Sequence, residues 1–228
     1  MLLSRLRRPH PKSPDGKLAA VLERHGICSV IDVGANAGQT RDRFRALGFR
    51  GRIISIEPIS RLQKQLARRA GGDADWTVLP PMALGAADGE AELLVSEADD
   101  LSSLQPPLAA LREALPKAEI QERETVRVRR LDDLWPELDA APEETLLKLD
   151  VQGSEADVLR GGALTLVTLR AVVVEMSLQP LYEGESDYLS ICSTLHAAGF
   201  VPVLFVPGYF SQAQCRLLQM DGLFVRDC

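Results

Sequence analysis

The sequence predicts an α/β protein with a mostly parallel, doubly wound sheet and helices on both of its faces. Short apolar runs rich in β-branched residues recur along the chain, and segments of helical period separate them. Buried parallel strands have this composition, and their alternation with helices is typical of one doubly wound sheet. Several of the runs end in an acidic residue or a glycine turn. We therefore expect about seven strands in one domain, with a ligand at their carboxyl ends.

The first strand runs into a glycine turn and then into a helix. The pattern is Asp32-x-Gly34-x-Asn36-x-Gly38, followed by Thr40. Glycines allow a close approach by a ligand, and the helix start offers unpaired N–H groups. A dinucleotide fingerprint has a glycine where Asn36 stands, to admit a pyrophosphate. The carboxylate of Asp32 would repel a pyrophosphate and suits a cation, so the turn favours S-adenosylmethionine (SAM) over NAD. Taken alone, the stretch also fits an ordinary strand-to-helix turn.

The second strand ends in Glu57. This residue follows Gly38 by about the 20 residues at which nucleotide-binding α/β folds place a carboxylate for ribose hydroxyls. We expect that role for Glu57, against the alternative of a solvated charge at a strand end. A third strand follows at residues 76–79. The turn after it holds Ala83 and Leu84, which we expect beside the adenine.

Two later strands also end in acids, Asp150 and Glu175. Lys148 precedes the first of these acids, and Glu155 begins the helix that follows it. Ligands bind at the carboxyl ends of parallel strands, so these residues are the candidate catalytic groups. Asp150 is the strongest candidate, because an acid directly after a buried strand is otherwise costly. The alternatives are Lys148 at the flank of the sheet and Glu155 as a favourable charge at a helix N-terminus.

The remaining segments are assigned from their patterns. A flexible basic tail is expected at residues 1–14, and a single domain at residues 15–228, whose first helix is capped by Asp15. Residues 97–119 are the least regular stretch, which indicates a lid or substrate loop, or else a mobile surface loop. A final hairpin or edge strand is expected at residues 215–225.

Charge and cysteine usage exclude some classes of protein. The formal net charge of −6 argues against a general nucleic-acid binder. The four cysteines form no C-x-x-C pair, and no spacing of histidine and cysteine is typical of a metal site. We therefore expect free thiols and a cytoplasmic protein. No apolar run reaches about 18 residues, so no transmembrane segment is expected.

Taken together and in order, the motifs resemble the FkbM-type SAM-dependent methyltransferases. They are IDVGAN with the following Gly38, then IEP, ALG, LDDL, LKLDVQGSE and VE, within residues 29–225. The resemblance implies the seven-stranded, Rossmann-like class I methyltransferase fold with an antiparallel last strand. It also implies methyl transfer from SAM to a hydroxyl oxygen, with a sugar, glycan or polyketide-type small molecule as the acceptor.

The expected mechanism is in-line displacement, in which an acceptor oxygen attacks the SAM methyl carbon. Asp150 is the leading base or acceptor-orienting group, and Glu155 and Glu175 are weaker candidates. Lys148 holds the acceptor or offsets the carboxylates, and Asp32 is expected near the methionine ammonium. A metal ion shared by Asp150 and Glu175 ranks below this mechanism, because two carboxylates are too few to specify one. An NAD-type oxidoreductase and a non-catalytic nucleoside-binding module are the competing functions.

Overall fold

The computed structural model describes residues 9–226, which form a seven-stranded, a three-stranded and a two-stranded sheet. In chain order the strands are β1 (Ser29–Val33), β2 (Arg52–Ile56), β3 (Trp76–Val78), β4 (Ala83–Leu84), β5 (Gly89–Ser96), β6 (Ile120–Arg129), β7 (Thr145–Leu149), β8 (Ala171–Ser177), β9 (Phe200–Pro207), β10 (Phe210–Ser211), β11 (Arg216–Leu217) and β12 (Gln219–Arg226). The α-helices are α1 (Pro14–Arg24), α2 (Gln39–Ala46), α3 (Ser60–Ala70), α4 (Ala109–Ala114), α5 (Leu131–Leu134), α6 (Glu155–Gly161), α7 (Ala163–Leu166) and α8 (Tyr188–Ala197).

The main sheet has the strand order β3-β2-β1-β7-β8-β12-β9. The first five strands pair in parallel, and β12 is antiparallel to both of its neighbours. The predicted seven-stranded, mostly parallel sheet with an antiparallel last strand is therefore confirmed. Of the two alternatives predicted for residues 215–225, the edge strand is wrong for β12, which lies between β8 and β9, whereas β11 forms a hairpin with β10. Residues 223–225 of β12 are at most 3% exposed, as an inner strand requires.

The inner strands send alternate side chains into two separate cores. In β1, Val30 packs on one face of the sheet and Ile31 on the other. Helices α1, α2 and α3 cover the first face through residues that include Leu18, Phe44 and Leu66. Helices α5, α6 and α8 cover the second face. Both faces are covered as predicted, which explains why the central strands are almost continuously apolar.

The N-terminus of α1 differs from the prediction in its capping residue. Ser13, rather than Asp15, is the N-cap, and its Oγ accepts the N–H of Gly16 at 3.0 Å. Pro14 opens the helix, where a missing N–H breaks no helical hydrogen bond. Asp15 therefore lies inside the first turn, as an acid favoured by the helix dipole. Most of the predicted basic tail, residues 1–8, lies outside the described residues.

The segment between β3 and β7 forms a small sheet outside the main one. The separate three-stranded sheet has the order β4-β6-β5, and β4 lies within the stretch expected as a turn at residues 80–85. Residues 97–119 are anchored by side-chain packing, because Leu101 and Leu111 join an apolar cluster with Tyr182. This stretch therefore has a core of its own, and its first part borders the cavity at the carboxyl edge of the main sheet.

Two expectations from composition can be compared with residues 9–226. Cys28, Cys192 and Cys215 are free thiols, as expected, and Cys228 lies outside this range. Within the same range, no helix combines the length and the apolar character needed to cross a bilayer.

Candidate active site

A cavity of about 310 Å³ opens at the carboxyl ends of β1, β2 and β7. Ligands of open α/β sheets bind at this edge. The predicted site residues that line the cavity are Gly34, Asn36, Thr40, Glu57, Ala83, Leu84, Lys148 and Asp150. Four other predicted residues are described by the structure but do not line it, namely Asp32, Gly38, Glu155 and Glu175.

The turn after β1 brings backbone close to the cavity. Gly34, Asn36 and Gly38 have φ angles of 78°, 46° and 89°, a region that favours glycine. A Cβ on Gly34 would lie 1.8 Å from the carbonyl oxygen of Asp150, so the neighbouring turn leaves no room for a side chain. The glycine that suggested a ligand turn is therefore also required by the packing of two adjacent strand ends.

Glu57 fixes the shape of this turn from the end of β2. Its Oε2 accepts the N–H of Asn36 at 2.7 Å, and its Oε1 accepts the N–H of Ile59 at 2.8 Å. Burial raises the pKa of Glu57 to about 7, against the opposing effect of these two backbone hydrogen bonds. The carboxylate also lines the cavity, and each of its oxygens has a second lone pair for a ligand hydroxyl.

Asp32 is fully buried behind the cavity wall. It pairs across the sheet with Lys148, whose Nζ lies 3.4 Å from Asp32 Oδ1 and 3.2 Å from Asp150 Oδ2. Lys148 Nζ also donates to the carbonyl oxygen of Gly34 at 3.2 Å. Burial raises the pKa of Asp32, while the charge of Lys148 opposes that rise. Asp32 is not among the residues that line the cavity, and its expected place near a ligand ammonium stays a prediction.

Asp150 lies just past the end of β7 with its side chain 36% exposed. Its Oδ1 accepts from Gln152 Nε2 at 2.7 Å, and the same nitrogen donates to Glu175 Oε2 at 2.7 Å. Gln152 Oε1 in turn accepts the hydroxyl of Tyr182 at 2.8 Å. The Gln152 amide thus lies between the two carboxylates, where a metal ion shared by them would have to lie. Asp150 is held on two sides and remains open on the side of the cavity.

Glu175 and Glu155 support this arrangement from outside the cavity. Burial, followed by the charge of Asp150, raises the pKa of Glu175 well above its usual value. Glu155 accepts the N–H groups of Val151 at 2.8 Å and Gly153 at 3.0 Å, and burial raises its pKa to about 7. The carboxylate of Glu155 therefore closes the turn after β7 and does not line the cavity, and its catalytic role stays a prediction.

An apolar wall and a polar rim complete the cavity. The wall is formed by residues that include Ile59, Ala83, Leu84 and Leu93, which suit the flat face of an adenine. The rim is formed by residues 99–104 of the irregular stretch. Ser103 in this rim donates its hydroxyl to the carbonyl oxygen of Gln152, so the rim is fastened to the turn after β7.

Several polar residues that line the cavity were not among the predicted site residues, and they include Gln152, Arg43 and Asp221. Gln152 lies inside the motif LKLDVQGSE, which was the available signal for it. Arg43 and Asp221 carry no such signal, because one lies in the second turn of α2 and the other in an inner strand.

Within residues 9–226, no group of three or more histidine, cysteine or acidic side chains is arranged to hold a metal ion.

The charges that line the cavity fit SAM better than a dinucleotide. Acids outnumber bases in the lining, and the two bases are Arg43 and Lys148. Lys148 is already balanced by Asp32 and Asp150. A pyrophosphate would meet a negative surface here, whereas the sulfonium and ammonium of SAM would be attracted to it.

The comparisons with known proteins agree with this fit. The model of the methyltransferase FkbM domain matches residues 32–202. The 2-O-methyltransferase NoeI of Sinorhizobium fredii (strain NBRC 101917 / NGR234) is 30% identical over 174 residues, which are 73% of this chain and 70% of NoeI.

Two solved structures align with most of the chain at low identity. Aeropyrum pernix fibrillarin with bound SAM is 15% identical with a TM-score of 0.49, and the alignment covers 92% of this chain and 74% of that one. An rRNA methylase of Streptococcus thermophilus is 9% identical with a TM-score of 0.49, covering 94% of this chain and 97% of that one. Similarity this low supports no conclusion about activity. The family match spans most of the chain and decides between the two cofactors considered from the sequence: this chain belongs to the FkbM methyltransferase family, and its methyl donor is S-adenosylmethionine.

Proposed function

We propose that this methyltransferase transfers the SAM methyl group to a hydroxyl oxygen of a sugar, a glycan or a related secondary metabolite. The observation that carries the proposal is Asp150, a carboxylate fixed by Lys148 and Gln152 but still 36% exposed at the cavity. A group held in this way suits a base or an orienting acceptor for a hydroxyl proton. The name of NoeI, a 2-O-methyltransferase, supports oxygen as the methylated atom.

The cavity residues divide the proposed donor site into two parts. Glu57 accepts the ribose hydroxyls, and the apolar wall at Ala83 and Leu84 packs on the adenine. The backbone turn at Gly34 and Asn36, with Thr40 behind it, borders the sulfonium and methionine part. When bound, SAM supplies an electrophilic methyl group, and its transfer leaves S-adenosylhomocysteine.

The residues of the chain provide orientation and a proton acceptor. Asp150 accepts the proton of the acceptor hydroxyl as the new carbon–oxygen bond forms, and the electron pair of the broken carbon–sulfur bond stays on sulfur. Lys148 and Gln152 hold the Asp150 carboxylate in one orientation, since each bonds a different oxygen. Glu175 acts through Gln152, and Glu155 acts through the turn that carries Asp150. Correct placement of the two reactants supplies much of the remaining rate.

Residues 99–104 form the acceptor side of the proposed site. Asp100 and Ser102 line the cavity, and the Ser102 Oγ, which accepts the N–H of Ser96 at 3.1 Å, keeps its O–H as a donor, so both suit an acceptor with several hydroxyls. Asp99 is occupied by an ion pair with Arg61, which attaches the rim to α3. This assignment keeps the lid or substrate-loop interpretation of residues 97–119 as part of the proposal.

The test uses the purified protein with SAM labelled in its methyl group. It is incubated with neutral oligosaccharides, polyketide-type alcohols and, as a contrast, primary amines. We expect S-adenosylhomocysteine to accumulate with a hydroxylated acceptor, and NMR to place the label on oxygen. A label on nitrogen or carbon would overturn the proposal. Calorimetry that shows SAM binding, with no labelled product from any acceptor, would favour the non-catalytic nucleoside-binding module instead.

A further inference from the structure

One carboxylate that lines the cavity has no part in the proposed donor site or in the proposed proton transfer. Asp221 lies in β12, an inner strand of the main sheet, where an aspartate is unfavourable. Its side chain has no hydrogen bond and no ion pair within residues 9–226. Burial raises the pKa of Asp221, and the charge of Asp150 adds to the rise. The fold therefore gains nothing from this carboxylate, and a role in binding would explain its presence.

The two cations that lie within electrostatic range of Asp221 are bound to other groups. Arg43 on α2 contacts Asp15 Oδ1 through its Nε and Nη2, at 2.8 and 2.7 Å. Lys148 is held by two other carboxylates and a carbonyl oxygen. The charges of both cations favour the ionised form of Asp221, but neither cation contacts it in the described part of the chain. The oxygens of Asp221 therefore keep their lone pairs for a ligand.

Strand pairing places Asp221 on the side of Asp150 that faces away from the proposed donor site. The pairing of β7 with β8 ends at Leu149, so Asp150 is the neighbour of Glu175 on the next strand. Glu175 in turn pairs with Asp221 of β12. Adjacent strands lie roughly 5 Å apart, which separates Asp150 from Asp221 by about 10 Å at the backbone. The proposed donor site lies over β1 and β2, on the opposite side of β7 in the strand order.

The cavity is continuous between these two carboxylates. Val173 of β8, the strand that lies between them, lines the cavity. The intervening acid, Glu175, does not line it, and its Oε2 accepts Gln152 Nε2 and Gln219 Nε2, each at 2.7 Å. An extended ligand can therefore contact both cavity-lining carboxylates without meeting the one between them.

We propose that Asp221 determines acceptor specificity, by accepting a hydrogen bond from a hydroxyl or amino group on the sugar unit next to the one that is methylated. This inference rests on the proposed function and adds a second recognition point to it. A distance of about 10 Å from Asp150 exceeds the size of one sugar ring, so the donor group belongs to a neighbouring unit. A carboxylate accepts several donors, whereas it repels an anionic unit such as a uronic acid. The acceptor is therefore an oligosaccharide whose second unit is neutral or carries an amine.

The experiment measures steady-state kinetics with three acceptors: the neutral oligosaccharide that the wild type methylates, the single unit that receives the methyl group, and the oligosaccharide with an amino group on its second unit. The variants are Asp221→Leu, Asp221→Asn and a control, Asp75→Asn, which changes an exposed aspartate outside the cavity. We expect Asp221→Leu to raise the KM for the oligosaccharide about 10-fold, with kcat and the KM for SAM within about two-fold, as loss of one hydrogen bond to a charged group implies.

The other acceptors and variants show which contact is lost. The KM for the single unit is the same in every variant, because that unit does not reach Asp221. Asp221→Asn keeps one oxygen, so it raises the KM for the neutral oligosaccharide less than Asp221→Leu does. A larger loss for the amino acceptor than for the neutral one in Asp221→Asn identifies an amine as the better donor, and equal losses identify a hydroxyl. The control keeps the wild-type values.

Thermal unfolding separates recognition from a structural role. Removal of a buried carboxylate that has no partner should leave the unfolding temperature of Asp221→Asn unchanged or raise it. A lower unfolding temperature, with equal losses for the oligosaccharide and the single unit, would make Asp221 structural and overturn this inference.

Three further outcomes bear on the inference and on the proposed function separately. An unchanged KM for the oligosaccharide in Asp221→Leu, or a wild type that uses the single unit as well as the oligosaccharide, would overturn the role of Asp221 and leave the proposed function intact. A raised KM for SAM alone would do the same and assign Asp221 to the donor. A wild type that methylates no hydroxylated acceptor would remove the proposed function itself, and this inference with it.

Discussion

The turns after β1 and β7 are built alike but present opposite surfaces to the cavity. Each has a non-glycine residue with positive φ, Asn36 at 46° and Gln152 at 53°, and a buried glutamate that accepts two backbone N–H groups. In the first turn the strand acid, Asp32, is buried and the glutamate lines the cavity. In the second turn the strand acid, Asp150, lines the cavity and the glutamate is sealed.

Lys148 explains the difference, because it lies between the two acids. It is directly opposite Asp32 in the pairing of β1 with β7, whereas Asp150 follows it past the end of the strand. Although burial opposes it, the carboxylates of Asp150 and Asp32 raise the pKa of Lys148. Asp150 thus lies two residues closer to the carboxyl edge of the sheet than Asp32 does, and this offset separates a cavity-lining carboxylate from a buried one. The role of an acid at a strand end therefore depends on how deeply its side chain is buried as well as on its chemistry.

The largest effect is expected where the open acid is removed. Asp150→Asn keeps the shape of the side chain but not its ability to take a proton. We expect kcat to fall by about 10²- to 10⁴-fold, the range for a lost general base, with little change in SAM affinity. Steady-state kinetics and calorimetry measure the two quantities. A variant with normal kcat would assign the proton transfer to another group and make the two turns equivalent.

Removal of the shared lysine is expected to damage stability. Lys148→Met leaves Asp32 buried without its cation, and loss of one partner of a buried ion pair typically costs about 3 kcal/mol or more. Urea unfolding measures the change. The matched control is the double variant Lys148→Met with Asp32→Asn, which removes the stranded charge and should recover part of the loss. If the single and double variants unfold alike, Asp32 does not depend on Lys148 for its burial.

Gln152 tests whether the second turn works by holding Asp150 still. Gln152→Met keeps the length of the side chain but removes the amide that bonds Asp150 and Glu175. We expect kcat to fall about 10-fold while the KM for SAM stays within about two-fold, because only orientation is lost. Tyr182→Phe removes the hydroxyl that bonds the other end of the amide and should give a smaller loss. Equal effects of both variants on kcat and on KM would point to a general loss of structure.

The sequence predicted which acidic residues lie at the strand ends, but not which of them are buried and which line the cavity. The strand ends, Glu57, Asp150 and Lys148 follow from apolar runs and their terminal charges, which are local features. The burial of Asp32 depends on which residue of β7 lies opposite it, and the register of two strands far apart in sequence is not a local property. The inner position of β12 and the small sheet of β4, β5 and β6 are likewise set by long-range pairing.

The last prediction concerns the buried glutamate of the second turn, Glu155, and the dependence of stability on pH. Burial raises the pKa of Glu155 from 4.5 to about 7, so the folded protein holds this proton between those pH values while the unfolded chain releases it. The contribution of Glu155 is therefore fully present below pH 4.5 and is lost as the pH rises through 7. A variant that cannot titrate at this position should therefore lose less unfolding free energy than the wild type as the pH rises, by roughly 1 to 3 kcal/mol.

The measurement is urea unfolding of the wild type and of Glu155→Gln at pH 5 and at pH 7.5. A glutamine loses one of the two backbone hydrogen bonds, which lowers stability at both pH values, but it cannot titrate. The difference between the two pH values is therefore the quantity to compare. If this difference is the same in the wild type and in Glu155→Gln, the two N–H groups of the turn keep the carboxylate of Glu155 ionised when the protein folds. The second turn would then be closed by a charge, and its likeness to the first turn would extend no further than backbone geometry.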